Sequence, residues 1–111
     1  MTTTELNIFK ADDTALLVDV TPRSGAALPT ITAVQAAIVR DGAAIIGPKA
    51  LSDTGQADWS AERVEVPITG VESAPIAVGG AELELEVTDI NGQKWTSHPR
   101  YPVTFIGSAI P

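Results

Sequence analysis

Between Gly79 and Phe105 the chain alternates more regularly than anywhere else. Leu83, Leu85 and Val87 are interleaved with Glu82, Glu84, Glu86 and Thr88. A period of two with one apolar and one charged face predicts a half-exposed β-strand. Asn91-Gly92 follows, then a second extended run from Trp95 that ends in Val103-Thr104-Phe105. Asn-Gly between two such runs predicts a hairpin with a tight type I′ turn. Pro99 and Pro102 interrupt the second run and predict that it lies at a sheet edge.

The rest of the chain carries the same rhythm. Glu5 to Lys10 predicts a first strand with Leu6 and Ile8 on one face, and Ala11-Asp12-Asp13-Thr14 a polar turn. Ala15 to Thr21 predicts a second strand on Leu16, Val18 and Val20, although Leu17 puts an apolar residue on its other face. Pro22 to Pro29 reads as a loop. Ile31 to Val39 is rich in alanine, a helix former. Its alternation and the Asp41-Gly42 turn before Ala44-Ile45-Ile46 nevertheless predict a hairpin. Gly47-Pro48 predicts a bend or bulge in the return strand. Ser52 to Ala61 is a polar interval carrying Trp59, and Arg63 to Thr69 alternates on Val64, Val66 and Ile68, with Pro67 marking an edge. Gly70 to Gly80 reads as a loop with little regular structure. About seven strands separated by frequent turn signals predict an all-β, immunoglobulin-like antiparallel sandwich.

The chain has 111 residues. That length fits a single domain over residues 1–111 with short tails. Such a chain buries roughly 60–70% of its unfolded surface, enough for a core without staples. There is no cysteine, so neither disulfides nor thiolate chemistry is available. The net charge of −7 repels phosphate backbones and anionic lipid surfaces, which disfavours nucleic-acid and membrane partners. The first residues, MTTTELNIFK, lack a basic region followed by an apolar one, so no secretory signal is expected. No apolar run approaches the ~20 residues of a membrane span.

Candidate chemistry is sparse. His98 is the only histidine and has no evident nucleophile beside it, so a surface or turn role is expected. Asp12-Asp13 and Asp89-Ile90-Asn91-Gly92 resemble fragments of calcium loops, but a full set of oxygen ligands does not follow. Turn chemistry explains them more simply. Glu82, Glu84 and Glu86 could pair as acid and base in a cleft; on one pleated face they read as a solvated surface or a contact for a basic partner. Trp95 and Tyr101 share parity with Val103 and Phe105 and are expected in the core. Trp59, in a polar interval, is the better candidate for an exposed anchor. The closing segment Ile106-Gly107-Ser108-Ala109-Ile110-Pro111 is apolar, and Ile106 and Ile110 are candidate contacts of an arm docking on a neighbour. No enzyme activity, metal or cofactor is expected.

The order of elements resembles the immunoglobulin-like N-terminal module of baseplate upper proteins and related tail structural proteins of tailed bacteriophages. Phe9 to Thr14 with Leu16 to Val20 match its opening. Val34 to Arg40 with Asp41-Gly42 match its middle hairpin, and Val64 to Ile68 its alternating strand. Val71 to Gly79, Glu82 to Asp89, Gly92 and Val103-Thr104-Phe105 match its close. Ala27-Leu28-Pro29-Thr30 replaces the module's usual Asp-Leu-Thr-Gly-like element. The resemblance implies a structural subunit of a virion: tail, baseplate, neck or capsid decoration. Such a subunit is made in the host cytoplasm and held by contacts with other virion subunits and copies of itself. The alternative class is a small carbohydrate- or calcium-binding sandwich.

Overall fold

The computed structural model describes residues 6–20, 29–53, 58–96 and 101–107. Its strands are β1 (Leu6–Phe9), β2 (Thr14–Asp19), β3 (Ile31–Arg40), β4 (Ala43–Ala50), β5 (Arg63–Ile68), β6 (Gly79–Asp89), β7 (Lys94–Thr96) and β8 (Tyr101–Ile106). One sheet runs β1-β8-β6-β3-β4, with β7 also paired to β6; the other holds β2 and β5. Strands 2 and 5 thus form one layer, while 3, 6 and 8 form the heart of the other. This is the partition of an immunoglobulin-like sandwich.

The alternation seen in the sequence sets the layers. Leu83, Leu85 and Val87 of β6, Val34, Ala36 and Ile38 of β3, and Val103 and Phe105 of β8 face inward and are buried. They meet Leu16 and Val18 of β2 and Val64, Val66 and Ile68 of β5, completing one core with Leu6, Ile8, Ile31 and Ile46. Each buried Val, Leu, Ile or Phe side chain among them contributes about 1.5–3 kcal/mol of transfer free energy. Tyr101 links the layers from the side, its hydroxyl donating to the Asp19 carbonyl at 2.9 Å. Burial, with the Asp19 charge second, pushes that phenol above its ordinary range.

Three expectations change. The sandwich has eight described strands and is not wholly antiparallel, because β1 pairs β8 in parallel. The final run is not a sheet edge: β8 lies between β1 and β6, and only its forerunner β7 borders β6 alone. Pro102 is tolerated there because it faces Glu82 just before β1 begins to pair at Val103. The third change is at Gly70 to Ser73, where one turn of helix (α1) replaces the expected loop. Thr69 accepts from the Glu72 N–H at 3.1 Å and Glu72 accepts from the Thr69 N–H at 3.0 Å. This reciprocal capping box was written in the sequence as Thr-x-x-Glu.

The two hairpin signals fold differently. Asp41 and Gly42, at φ 53° and 80°, form the two-residue type I′ loop that their sequence predicts. In the turn that follows β6, Gly92 takes a positive φ, 78°, and Asn91 does not. Its N–H donates to the Asp89 carbonyl, and the Asp89 N–H donates to the Gln93 carbonyl. That is a type I turn closed by a glycine bulge, a three-residue loop instead of the expected two.

Gly47 sits at φ 83° in β4, and a Cβ there would lie 2.8 Å from the Ala36 carbonyl oxygen. Both the left-handed backbone and this contact oppose a side chain. Gly47→Ala is expected to cost about 2 kcal/mol, read as a lower urea midpoint with unchanged slope.

Candidate interaction surface

The outward face of the larger sheet carries most of the candidate residues. β6 places Glu82, Glu84 and Glu86 there; Glu82 is exposed and the other two are half-buried. Glu86 reaches Lys94 of β7 at 3.6 Å. Lys94 is largely solvated and Glu86 partly so, and the pair contributes little to stability. Beside these carboxylates an open groove of about 270 Å³ runs over β3 and β4, lined by Gln35, Ala37, Ala44 and Pro48 as well as Glu84 and Glu86. The three glutamates therefore belong to a wet sheet face, not to a closed acid–base cleft.

At the other side of the same sheet the surface turns apolar. Phe9 and Ile106 are paired across β1 and β8, both on the outward face. Phe9 is 48% exposed. Val78, 63% exposed, stands against Gly107, which directly follows Ile106. Phe9, Ile106 and Val78 thus form an apolar corner where β8 ends. Of the two isoleucines singled out in the closing segment, Ile106 is in this corner; Ile110 lies outside the described residues, as does His98.

The tryptophans exchange the roles expected of them. Trp59 opens a 3-10 turn, Trp59–Ala61, and packs half-buried against the core instead of standing free as an anchor. An Asp58–Arg63 bridge and a 3.0 Å hydrogen bond from the Trp59 backbone N–H to Asp53 Oδ1 fold the segment inward. Its indole N–H is buried with no acceptor among the described residues. Trp95 has the expected parity, lying opposite buried Val87, but at the sheet margin the residue is 37% exposed.

What looked like half a calcium loop is a closed turn. Asp89 is buried, and its Oδ1 accepts from the Asn91 and Gln93 N–H groups at 2.9 and 3.0 Å. Its Oδ2 accepts from Trp95 Nε1 at 3.0 Å. The Trp95 hydrogen bond above all, with the two backbone donors, holds this carboxyl below the usual aspartate range against the opposing effect of desolvation. Asp13 is likewise engaged, accepting from the Gly70 N–H at 2.7 Å. Among the described residues no three acidic or histidine side chains gather closely enough to hold a metal ion.

A second polar knot joins β4 to α1. Lys49 Nζ donates to the Pro67 carbonyl at 2.8 Å and to Glu72 Oε1 at 2.6 Å. Lys49, then the Thr69 N–H, holds the Glu72 carboxyl below its ordinary range. These carboxylates stabilise turns and caps. Of the residues singled out in the sequence, those left exposed for recognition lie on the acidic face and in the apolar corner. No protein-family model matches the chain, and no curated protein matches it at a significant level.

Proposed function

We infer that this chain is a non-enzymatic structural subunit of a bacteriophage virion, in the tail, baseplate, neck or capsid decoration, acting through protein–protein contacts. The observation that supports this best is the apolar corner of Phe9, Ile106 and Val78 on an otherwise acidic domain. Contiguous exposed apolar side chains rimmed by polar surface suit a protein contact, and repeated copies in an assembly make modest contacts sufficient. The sequence's resemblance to phage tail modules is the other support for this reading.

The test is incorporation into particles. Phe9→Ser is expected to leave the unfolding free energy of the isolated chain, measured in urea, within about 0.5 kcal/mol of wild type. The same variant should be depleted from purified virions when it replaces the wild-type chain during phage growth. Incorporation at the wild-type level would refute the contact, and absence of the wild-type chain from purified particles would refute the virion reading. The groove beside Glu84 and Glu86 favours the second reading, a small-ligand module. That reading requires thermal stabilisation by calcium or by a glycan, growing with ligand concentration.

A further inference from the structure

The smaller sheet has two described strands, so among the described residues β2 has a strand neighbour on one side only. Which of its backbone groups are spent follows from the register. Val20 N–H donates to the Glu62 carbonyl at 2.8 Å, and the β2–β5 pairing continues that alignment through Val18–Val64, Leu16–Val66 and Thr14–Ile68. In an antiparallel ladder the N–H and C=O of one residue point to the same side, and successive residues alternate. The even-numbered residues therefore serve β5. Ala15, Leu17 and Asp19 direct their N–H and C=O groups to the other side, where no described strand receives them and only the Asp19 carbonyl has a described partner, the Tyr101 hydroxyl.

The remaining edges carry devices that discourage pairing. β4 is bent at Gly47-Pro48 and shifts register against β3. On β5, Pro67 is level with Ala15, so its missing N–H falls on the outward side of that strand. β1 has four residues and β7 three. β2 has six residues, TALLVD, in unbroken register, without proline, glycine or lysine. Its outward side chain Leu17 is 40% exposed.

We propose that the outer edge of β2, which no described strand occupies, pairs antiparallel with the β2 edge of a second copy of this chain, joining two sandwiches through one continuous sheet. The strand is complementary to itself about Leu17. With Leu17 on the two-fold axis, Ala15 faces Asp19 of the other copy and Leu16 faces Val18. The Leu17 pair exchanges both of its backbone hydrogen bonds; in each Ala15–Asp19 pair the Asp19 carbonyl already accepts from the Tyr101 hydroxyl, so the incoming Ala15 N–H takes its second lone pair. Inward side chains remain inward in both copies, and the two Leu17 side chains cover one another on the outer face. No like charges stand opposite each other, although each copy carries a net charge of −7. The edge holds a single carboxylate, Asp19, which already has Arg63 at 3.9 Å. This seam stands apart from the apolar corner, and its test does not depend on the virion reading.

The chain has no cysteine, so a single introduced thiol reports the seam without interference. Two residues facing across a hydrogen-bonded antiparallel pair have Cα atoms about 5.5 Å apart, within disulfide range. Under mild oxidation Leu17→Cys is expected to form covalent dimers roughly tenfold faster than exposed Ser52→Cys, because pairing raises the effective thiol concentration. Sedimentation of the wild type from micromolar to millimolar concentration is expected to show a mass rising towards the dimer. Leu17→Lys, which places two ammonium groups on the axis, should stay monomeric with an unchanged circular dichroism spectrum. Equal oxidation rates for the two cysteine variants would overturn the proposal and leave the edge to an unlike strand. A wild type that remains monomeric throughout, or a Leu17→Lys variant that dimerises as wild type does, would overturn it too.

Discussion

Gly70→Ala is expected to destabilise the chain by about 3 kcal/mol, although alanine is the better helix former by up to about 1 kcal/mol. The reason is steric. A Cβ on Gly70 would lie 2.3 Å from the Ala11 carbonyl oxygen and 2.7 Å from its carbon. That backbone is poorly placed to retreat. The Ala11 N–H donates to Ser73 Oγ at 3.0 Å, Ala11 itself sits at φ 68°, and Asp13 holds the Gly70 N–H. Moving the β1–β2 turn away would strip the described hydrogen-bond donor to the hydroxyl of Ser73, a fully buried residue. Urea denaturation measures the effect. Val71→Ala, at a residue 85% exposed on the same turn, should change stability by less than about 0.5 kcal/mol. Equal midpoints for the two variants would show that the corner yields without cost.

Asp89→Asn is expected to produce the largest loss of stability among single acidic-to-amide changes in the described part of the chain. An amide keeps one oxygen for the Asn91 and Gln93 N–H groups. Its nitrogen then faces Trp95 Nε1, so two donors meet where a donor met a carboxylate oxygen. The pH dependence follows from the sign of the shift. The folded-state pKa of Asp89 is lowered, so the folded chain resists protonation more than the unfolded one. The resulting stabilisation is fully present above the unfolded value of about 3.9 and is lost as pH falls through the lower folded value. The wild type should therefore lead Asp89→Asn clearly in urea midpoint at neutral pH, with the gap narrowing in acid. A gap of constant size from neutral to strongly acid buffer would mean that the ionised carboxylate is not what closes this turn.

Local alternation made β5 and β6 legible, because each buries one face and the period of two fixes which residues turn inward. Asp41-Gly42 was legible for an equally local reason, since both positions need a positive φ. Asn91-Gly92 was misread because the deciding group is the side chain of Asp89, one residue before the pair. The capping box from Thr69 to Glu72 was present in the sequence but hidden by a stretch dominated by glycine, proline and alanine. The place of β8 inside its sheet could not be read locally. It depends on β1 returning beside it, a pairing between residues nearly a whole chain apart. The candidate surface was only partly visible for a related reason. Glu82, Glu84 and Glu86 followed from one strand, whereas the corner of Phe9, Val78 and Ile106 draws on separate segments. Exposure of the tryptophans turned on sheet margins and loop contacts, which parity alone does not report.

The parallel pairing of the first and last strands also has a mechanical consequence. Leu6 to Phe9 runs alongside Val103 to Ile106 in the same direction. Tension applied through the segments before β1 and after β8 pulls these neighbours in opposite senses along their length. Their hydrogen bonds are then loaded together in shear instead of opening one after another as in an unzipping hairpin. The chain thus places its most force-resistant geometry between the points where a pull from its two ends enters the fold.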